Sequence, residues 1–490
     1  MDVFEVVRTL RSSKSRALLL IPLVLSAFTH LWNVTGFPDI FYDEGIYMRR
    51  AMHVLEGSGP QEGSFYDHPY FGQLFLAGIL RIVGYPNSLG PDETAQSIAE
   101  LYAAPRIVMG LLAVLDTFLI FKIADKRYDC RVALIASIIF AVMPITWLAR
   151  RILLDSILLP FLLGSILCAL HINDSKRGLF LGLTSGALLG IAIFTKAPSF
   201  LMIPLVGYLI YSNSATRRAR NLGAWITPVI LIPLIWPAYA LVIGDFDSWV
   251  HYVTWQTQRQ SGGIAYITGL FFLFDPVFLL VGAAGIIYSS LKRDFVIMLW
   301  TVPFLLFLSV VGYVQYFHWL PLLPVFSIAA ARLVTFLLKR QLIGYVIVPG
   351  LTVFGLVCTT MVISTDVTSS QFEAAAFVAG YPDSNITIAA NPTYAWLFMY
   401  VFDKQNSFMD YRDLLFYPVE TDKLLLVSDS HFQNNIEAGK ELSDAYQNSQ
   451  SVKVFVGNVG SYDISSYPYT NLMTSYEGYK VDIRIENLRN

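Results

Sequence analysis

The chain has 490 residues, 55% hydrophobic and 14% charged, with a mean hydropathy of +0.54, whereas an ordinary soluble domain carries roughly a quarter charged residues. That balance excludes a soluble multi-domain enzyme, a disordered scaffold and a nucleic-acid binder, whose phosphate contacts need clustered Lys and Arg. The formal net charge of −2 conceals a division: residues 1–364 carry 26 basic and 20 acidic groups, residues 365–490 carry 8 and 16.

The N-terminus presents Arg8, Arg11, Lys14 and Arg16 and then an apolar run, Ala17 to Phe28. No small-residue cleavage site follows it cleanly, so it reads as an uncleaved first span. Further basic clusters lie at Lys122 to Arg131, Lys176/Arg177, Arg217/Arg218/Arg220, Lys292/Arg293 and Lys339/Arg340; with the first they hold 17 of the 34 basic residues. A crossing helix needs about 20 mostly apolar residues, and cytoplasmic loops collect Lys and Arg. Placing every cluster in the cytoplasm requires an even number of crossings between neighbours. Eleven spans are expected, near 17–36, 101–121, 132–149, 156–172, 179–195, 198–212, 222–242, 267–290, 295–312, 319–337 and 342–364. The apolar stretch Tyr70 to Gly84 is short, follows His68-Pro69 and contains Arg81, which suits an interfacial helix on the outer surface. The N-terminus is then cytoplasmic, and a loop over 37–100 and the tail are extracytoplasmic.

From about Thr365 the hydrophobic period changes. Short β-rich runs at Asn385 to Ala389, Leu424 to Ser428, Val452 to Val456 and Val481 to Ile485 alternate with helix-like runs at Tyr394 to Phe402 and Gln433 to Tyr446. A small α/β domain over 365–490 is expected to follow a membrane domain over 1–364. Asn385-Ile386-Thr387 matches a glycosylation acceptor pattern. Cys130, Cys168 and Cys358 supply neither a disulfide framework nor zinc-ligand spacing.

Scarce charges on the outer side mark the chemistry. The 37–100 loop holds nine acidic residues. Asp43-Glu44 precede a helical pattern in which Ile46, Ala51, Val54 and Leu55 share a face, so the pair sits at a helix N-terminus, where the macrodipole favours ionised carboxylates. An isolated Asp there more often simply caps the helix. Outer turns carrying Arg150, Arg151 and Lys196 add cations from distant parts of the chain. Carboxylate plus cations suits glycosyl transfer from a lipid-linked sugar phosphate: the carboxylate accepts the proton of an incoming hydroxyl and the cations stabilise the departing phosphate. Arg106, just inside a span, either binds donor phosphate or pairs with a loop carboxylate and fixes the loop to the bundle. Asp245-Phe246-Asp247 has a spacing that can hold a divalent cation, though both fit solvated loop carboxylates better. His251, Trp255, Gln256 and Arg259 either line a sugar pocket or anchor the interface. Asp116 is an intramembrane acid without an obvious sequence partner, suited to a helix-packing hydrogen bond.

The order of Asp43-Glu44, Asp67-His68-Pro69, Ala104-Pro105-Arg106, Arg150 with Asp155, Thr195-Lys196-Ala197-Pro198, and His318-Trp319-Leu320-Pro321 over about the first 340 residues resembles the polytopic GT-C glycosyltransferases. The likeness is nearest to the protein O-mannosyltransferase and aminoarabinose transferase group. It implies a polytopic α-helical membrane protein of about 11 transmembrane helices with a C-terminal extracytoplasmic α/β domain. It implies transfer of a sugar, mannose or a relative, from a polyprenyl- or dolichyl-phosphate donor to a protein, lipid or glycan acceptor, with inversion. Asp43 matches the catalytic carboxylate and Glu44 its neighbour in the acceptor site. Arg106, Arg150, Arg151, Asp155, Lys196, His68, Arg259 and His318 fall to donor phosphate or substrate. Family members often read His-Pro-Pro or Lys-Pro-Pro where this chain has His68-Pro69-Tyr70, and Tyr where it has Trp319. No cofactor is expected, with Asp245 and Asp247 the alternative holders of a divalent metal. The competing expectation is a transporter or flippase for lipid-linked glycans, which would more often place ionisable groups near the midplane and show repeat symmetry.

Overall fold

The computed structural model describes residues 3–173, 176–260, 262–338, 344–383, 385–460 and 478–488. Lys339 and Arg340, and the side chains of Arg8, Arg11, Lys14, Arg16 and Lys176, lie outside the described residues. In chain order the helices are α1 (Val3–Leu31), α2 (Tyr42–Leu55), α3 (Phe71–Ile82), α4 (Ala95–Arg127), α5 (Cys130–Val142), α6 (Leu154–Leu170), α7 (Lys176–Thr195), α8 (Ile203–Asn213), α9 (Arg218–Leu231) and α10 (Ile235–Val242). They continue as α11 (Phe246–Gln258), α12 (Ile264–Phe274), α13 (Pro276–Leu291), α14 (Phe295–Val310), α15 (Leu323–Leu338), α16 (Gly344–Ile363), α17 (Ser369–Ala379), α18 (Pro392–Tyr400), α19 (Ser430–Gln433) and α20 (Lys440–Asn448).

All eleven expected span intervals carry helix. Five described helices are long and apolar enough to cross a membrane, or seven if each bent pair is one span. The intervals at 17–36, 156–172 and 295–312 hold shorter apolar helices. The interval 267–290, expected as one continuous span, instead turns by 119° between α12 and α13. Pro276 has no N–H to donate and disfavours helical geometry at Asp275, so one helix ends there and another begins. The Asp275 carboxylate caps the new helix by accepting from the Phe278 N–H at 2.9 Å. Met143-Pro144 acts likewise, turning α5 by 74° into the 3-10 helix Pro144–Arg150. Where an interfacial helix was expected the chain forms α3, which buries Gly72, Gln73, Leu76, Ala77 and Leu80, a one-sided stripe at helical spacing.

The tail forms a four-stranded sheet of β1 (Ile386–Ala389), β2 (Lys423–Ser428), β3 (Gln450–Gly460) and β4 (Gly478–Asn487), ordered β1-β2-β4-β3. β1 and β2 are parallel, joined through α18, and the other pairs are antiparallel. Alternation places Leu425 and Val427 in the large apolar core shared with the helical bundle, and Leu424 and Leu426 in a second core with Tyr411, Phe432 and Leu442. The helix expected over Gln433 to Tyr446 is broken between α19 and α20, where Asn434, Asn435 and Gly439 favour turns. In the acceptor pattern at Asn385, the Asn itself is exposed just before β1, while Thr387 is buried with its hydroxyl paired to Thr421.

Candidate active site

The connection that follows α1 enters α2 through Phe41 in an extended conformation. Glu44, not Asp43, reaches back to the helix start, accepting weakly from the Phe41 N–H at 3.4 Å. Glu44 is fully buried, receives Arg106 Nη2 at 2.6 Å and the Ile152 N–H at 3.0 Å, and so ties α2 to α4 and to the turn before α6. Arg106 also donates to the carbonyls of Val34, Pro38 and Asp39 at 2.8 to 3.1 Å. The expectation that Glu44 lines the acceptor site and Arg106 binds phosphate is therefore corrected. The pair is a buried clamp, the second of the two roles the sequence left open for Arg106.

Arg150 and Arg151 also contact the connection that follows α1. Arg150 is buried, donates to the Trp32 carbonyl and lies 5.5 Å from the Phe37 ring centre. Arg151 is buried, ion-pairs with Asp39, donates to the Asp39 carbonyl at 2.8 Å and stacks near Phe41 and Trp147. A buried guanidinium needs acceptors for its five N–H groups. The segment from Trp32 to Phe41 supplies some of them, at the Trp32 and Asp39 carbonyls and the Asp39 carboxylate, and the arginines so tie this connection to the bundle.

The remaining charges converge. Lys196, in the turn after α7, meets Asp155, in the first turn of α6, at 2.6 Å with both side chains buried, and its ammonium lies 4.7 Å from the Phe317 ring centre. Arg50 and Asp67 pair at 2.8 Å. Burial works against ionising Asp67, yet Arg50 and His68 hold its carboxyl below the usual range. Asp43 keeps partial access, and among the described residues it has no hydrogen-bond or ion-pair partner. Burial pushes its pKa up to about 6 against the pull of Lys196, with Asp67 and Asp155 adding to the rise and Arg259 opposing it. His68 is pushed down to about 4, by burial first and then by Lys196, Arg50 and Arg259 against the field of Asp67, so at neutral pH it is an uncharged hydrogen-bonding group.

His318 faces the same field, near Lys196, His68 and Arg259. Its Nδ1 accepts the Gln315 N–H at 3.1 Å, which leaves Nε2 as the nitrogen that carries hydrogen in the neutral ring. Arg259 follows α11, half-buried, with its guanidinium 3.6 Å from the Tyr313 ring centre and 4.9 Å from that of Trp255. Its Nη1 donates to Gln256 at 3.1 Å. The structure thus brings Asp43, Asp155, Lys196, His68, Arg259 and His318 together. Asp245 faces Tyr66 at the start of α11 and Asp247 is exposed; among the described residues no three His, Cys, Asp or Glu side chains converge as metal ligands.

Sequence reasoning missed Arg50 as a site residue, although it lies seven positions after Asp43, two helical turns along one face. It also missed Tyr42 and the tail residues His431, Asp410 and Arg412, which surround Tyr42. Nothing in the linear pattern relates them, since 368 positions separate Tyr42 from Asp410.

The family described as dolichyl-phosphate-mannose-protein mannosyltransferase matches residues 20–243. Over 177 residues the chain is 27% identical to dolichyl-phosphate-mannose–protein mannosyltransferase 4 of Schizosaccharomyces pombe, covering 34% of this chain and 22% of that protein. Over 218 residues it is 26% identical to protein O-mannosyl-transferase 2 of Danio rerio, covering 42% and 27%. The matched segment spans about a quarter of the length of these curated relatives. Among solved structures, ArnT from Cupriavidus metallidurans in the apo state superposes with a TM-score of 0.60 at 12% identity, covering 96% of this chain and 98% of that one. The same protein bound to undecaprenyl phosphate gives 0.56 at 13% identity, covering 96% and 97%. By its fold, and by sequence over residues 20–243, the chain resembles the polytopic GT-C glycosyltransferases.

Proposed function

We propose that this multi-pass membrane protein is a glycosyltransferase that moves a sugar from a polyprenyl- or dolichyl-phosphate donor to an acceptor hydroxyl on the extracytoplasmic face. The N-terminus is cytoplasmic, the membrane unit ends near residue 364, and the tail lies outside with the site. The observation that carries the reading is Asp43, a partly accessible carboxylate without a partner among the described residues, raised to about 6 and flanked by Lys196 and Arg259. A general base works best when its pKa lies near the working pH. Above pH 6 Asp43 is mostly ionised yet retains a useful pull on a proton.

In the step, the acceptor hydroxyl gives its proton to Asp43 while its oxygen bonds to the anomeric carbon from the face opposite the phosphate. The bond from that carbon to the phosphate oxygen breaks, its electron pair leaves with the lipid phosphate, and the configuration inverts. A phosphate monoester leaves as a stable anion, so a separate acid, needed by glycosidases for a poor alkoxide leaving group, is unnecessary. Lys196 and Arg259 carry the charge that offsets the departing phosphate. Neutral His68 and His318 contribute hydrogen bonds to donor or acceptor. Positive charge from Arg259 and from Lys196, the latter shared with Asp155, faces the phosphate, so the reading invokes no metal. The relatives named for dolichyl-phosphate-mannose and the ArnT structure with undecaprenyl phosphate support the donor class.

The test is Asp43→Asn in membranes supplied with labelled polyprenyl-phosphate mannose. Transfer to membrane acceptors is expected to fall about 10²- to 10⁴-fold. Transfer at the rate of the unaltered protein would remove Asp43 as the base.

A further inference from the structure

Among the described residues Asp43 has no hydrogen bond or ion pair that fixes its direction, so its aim depends on the backbone of residues 42–45. The bundle holds one side of that turn through Glu44, Arg106 and the Ile152 N–H. The tail holds the other. The Tyr42 ring stacks on His431 with centroids 4.3 Å apart and planes 16° from parallel. Its hydroxyl donates to the Asp410 carboxylate, and the Arg412 guanidinium lies 5.0 Å from its ring centre.

The clamp is itself braced. Arg412 Nη2 donates to Asp410 at 2.7 Å, and Tyr411, fully buried, meets His431 Nδ1 through its hydroxyl at 3.0 Å. One residue beyond Glu44, α2 presses on the tail so closely that a Cβ on Gly45 would stand 2.2 Å from the Pro392 carbonyl carbon and 2.3 Å from the Thr393 nitrogen. The bundle reaches the same place from behind, since the Tyr102 hydroxyl donates to the Thr393 carbonyl at 2.6 Å and receives the Trp396 indole N–H at 2.7 Å. Tyr42 and Gly45 thus bracket Asp43 and Glu44, and both are held by residues from beyond position 390.

We propose that the C-terminal unit positions the transfer base: the hold of His431, Asp410 and Arg412 on Tyr42, with the Pro392–Thr393 backbone against Gly45, sets where the Asp43 carboxylate points. Tyr42 and His431 are positioning residues, acting through the backbone of Asp43 rather than on substrate. The inference rests on the reading of Asp43 as base. It gives the tail a role in turnover that neither a solvated appendage nor an acceptor-docking module would have.

The experiment compares full-length Tyr42→Phe, His431→Ala, His431→Phe and Asp43→Asn in membranes, with labelled polyprenyl-phosphate mannose varied as donor. Tyr42→Phe and His431→Ala are expected to lower kcat about 10-fold with donor KM unchanged, since small misplacements of a reacting group cost rate rather than ground-state binding. His431→Phe, which keeps a flat ring against Tyr42, is expected to recover most of the rate. Intrinsic tryptophan melting in detergent checks folding, and if Tyr42→Phe does not fold, the two His431 variants decide. Unchanged kcat in the folded variants, or a change confined to KM, overturns the positioning role while an inert Asp43→Asn leaves the base reading standing. If Asp43→Asn still transfers, the base reading itself fails.

Discussion

The carboxylate of Glu44 and the guanidinium of Arg106, 62 positions apart in sequence, meet at 2.6 Å with both side chains almost fully excluded from solvent. Adjacent acids in the sequence thus have opposite fates: Glu44 is consumed by structure, and Asp43 is left open.

Removing one member of a buried pair strands the other charge, at a cost of about 3–5 kcal/mol. Arg106→Met is therefore expected to destabilise the protein strongly, with a large fall in melting temperature in detergent. Arg106→Met combined with Glu44→Gln should recover part of the loss, because no uncompensated charge remains. If Arg106→Met melts like the unaltered protein and only donor affinity falls, the guanidinium is a phosphate ligand after all.

The pH dependence of transfer should carry the signature of Asp43. The base acts only when deprotonated, so kcat/KM is expected to rise with pH through about 6 and level off above it. Stability runs the other way. The folded carboxyl holds its proton up to about 6, the unfolded one only to about 3.9, so the folded state binds more protons between those values and stability falls as pH rises through that window. Asp43→Asn, which cannot ionise, should lose transfer yet melt above the unaltered protein at pH 7.5. A lower melting temperature would mean that the carboxylate is stabilising and the site misread.

Lys196 lowers the Asp43 pKa through its charge, second only to burial in size. Lys196→Gln is expected to remove a phosphate-stabilising cation, a loss of about 10²- to 10³-fold in kcat, and to move the acid limb of the residual activity to higher pH. A rate loss without that shift would detach Lys196 from the base. Addition of a chelator should leave transfer unchanged, because the reading assigns the phosphate to Lys196 and Arg259; abolition by the chelator would require a metal.

The helical frame and the place of Asp43 at a helix start were legible in the chain because both rest on local signals. Few charges interrupt long apolar runs, and Asp43-Glu44 opens an amphipathic helix. On that helix the expected face was only partly right: Ala51 is buried, but Tyr47, Met48 and Met52 join it, while Ile46 and Val54 are half-buried. The sequence left two roles open for Arg106 for a physical reason. Sequence displays the charge of Arg106, Arg150 and Arg151, but not the carbonyls of Trp32, Val34, Pro38 and Asp39 that accept hydrogen bonds from them. The contribution of the tail was illegible, since the stacking of His431 on Tyr42 exists only once the sheet has docked on α2.

Gly45 offers a test in which two known effects oppose each other. In a helix interior, replacing Gly by Ala is worth about 1 kcal/mol in favour of folding. At Gly45 the added Cβ would overlap the Pro392–Thr393 backbone at 2.2 to 2.3 Å, and backbone, unlike a side-chain tip, has no rotamer into which to retreat. Overpacking costs about 1–3 kcal/mol in cores that can adjust, so the steric term wins and Gly45→Ala should melt lower and transfer more slowly. Gly78 in α3 has nothing within 4 Å of such a Cβ, so Gly78→Ala should keep its helix-propensity gain and melt at or above the unaltered protein. Equal melting temperatures for the two variants would show that α2 and the tail are not in tight contact, and the hold on Asp43 would lose one of its two supports.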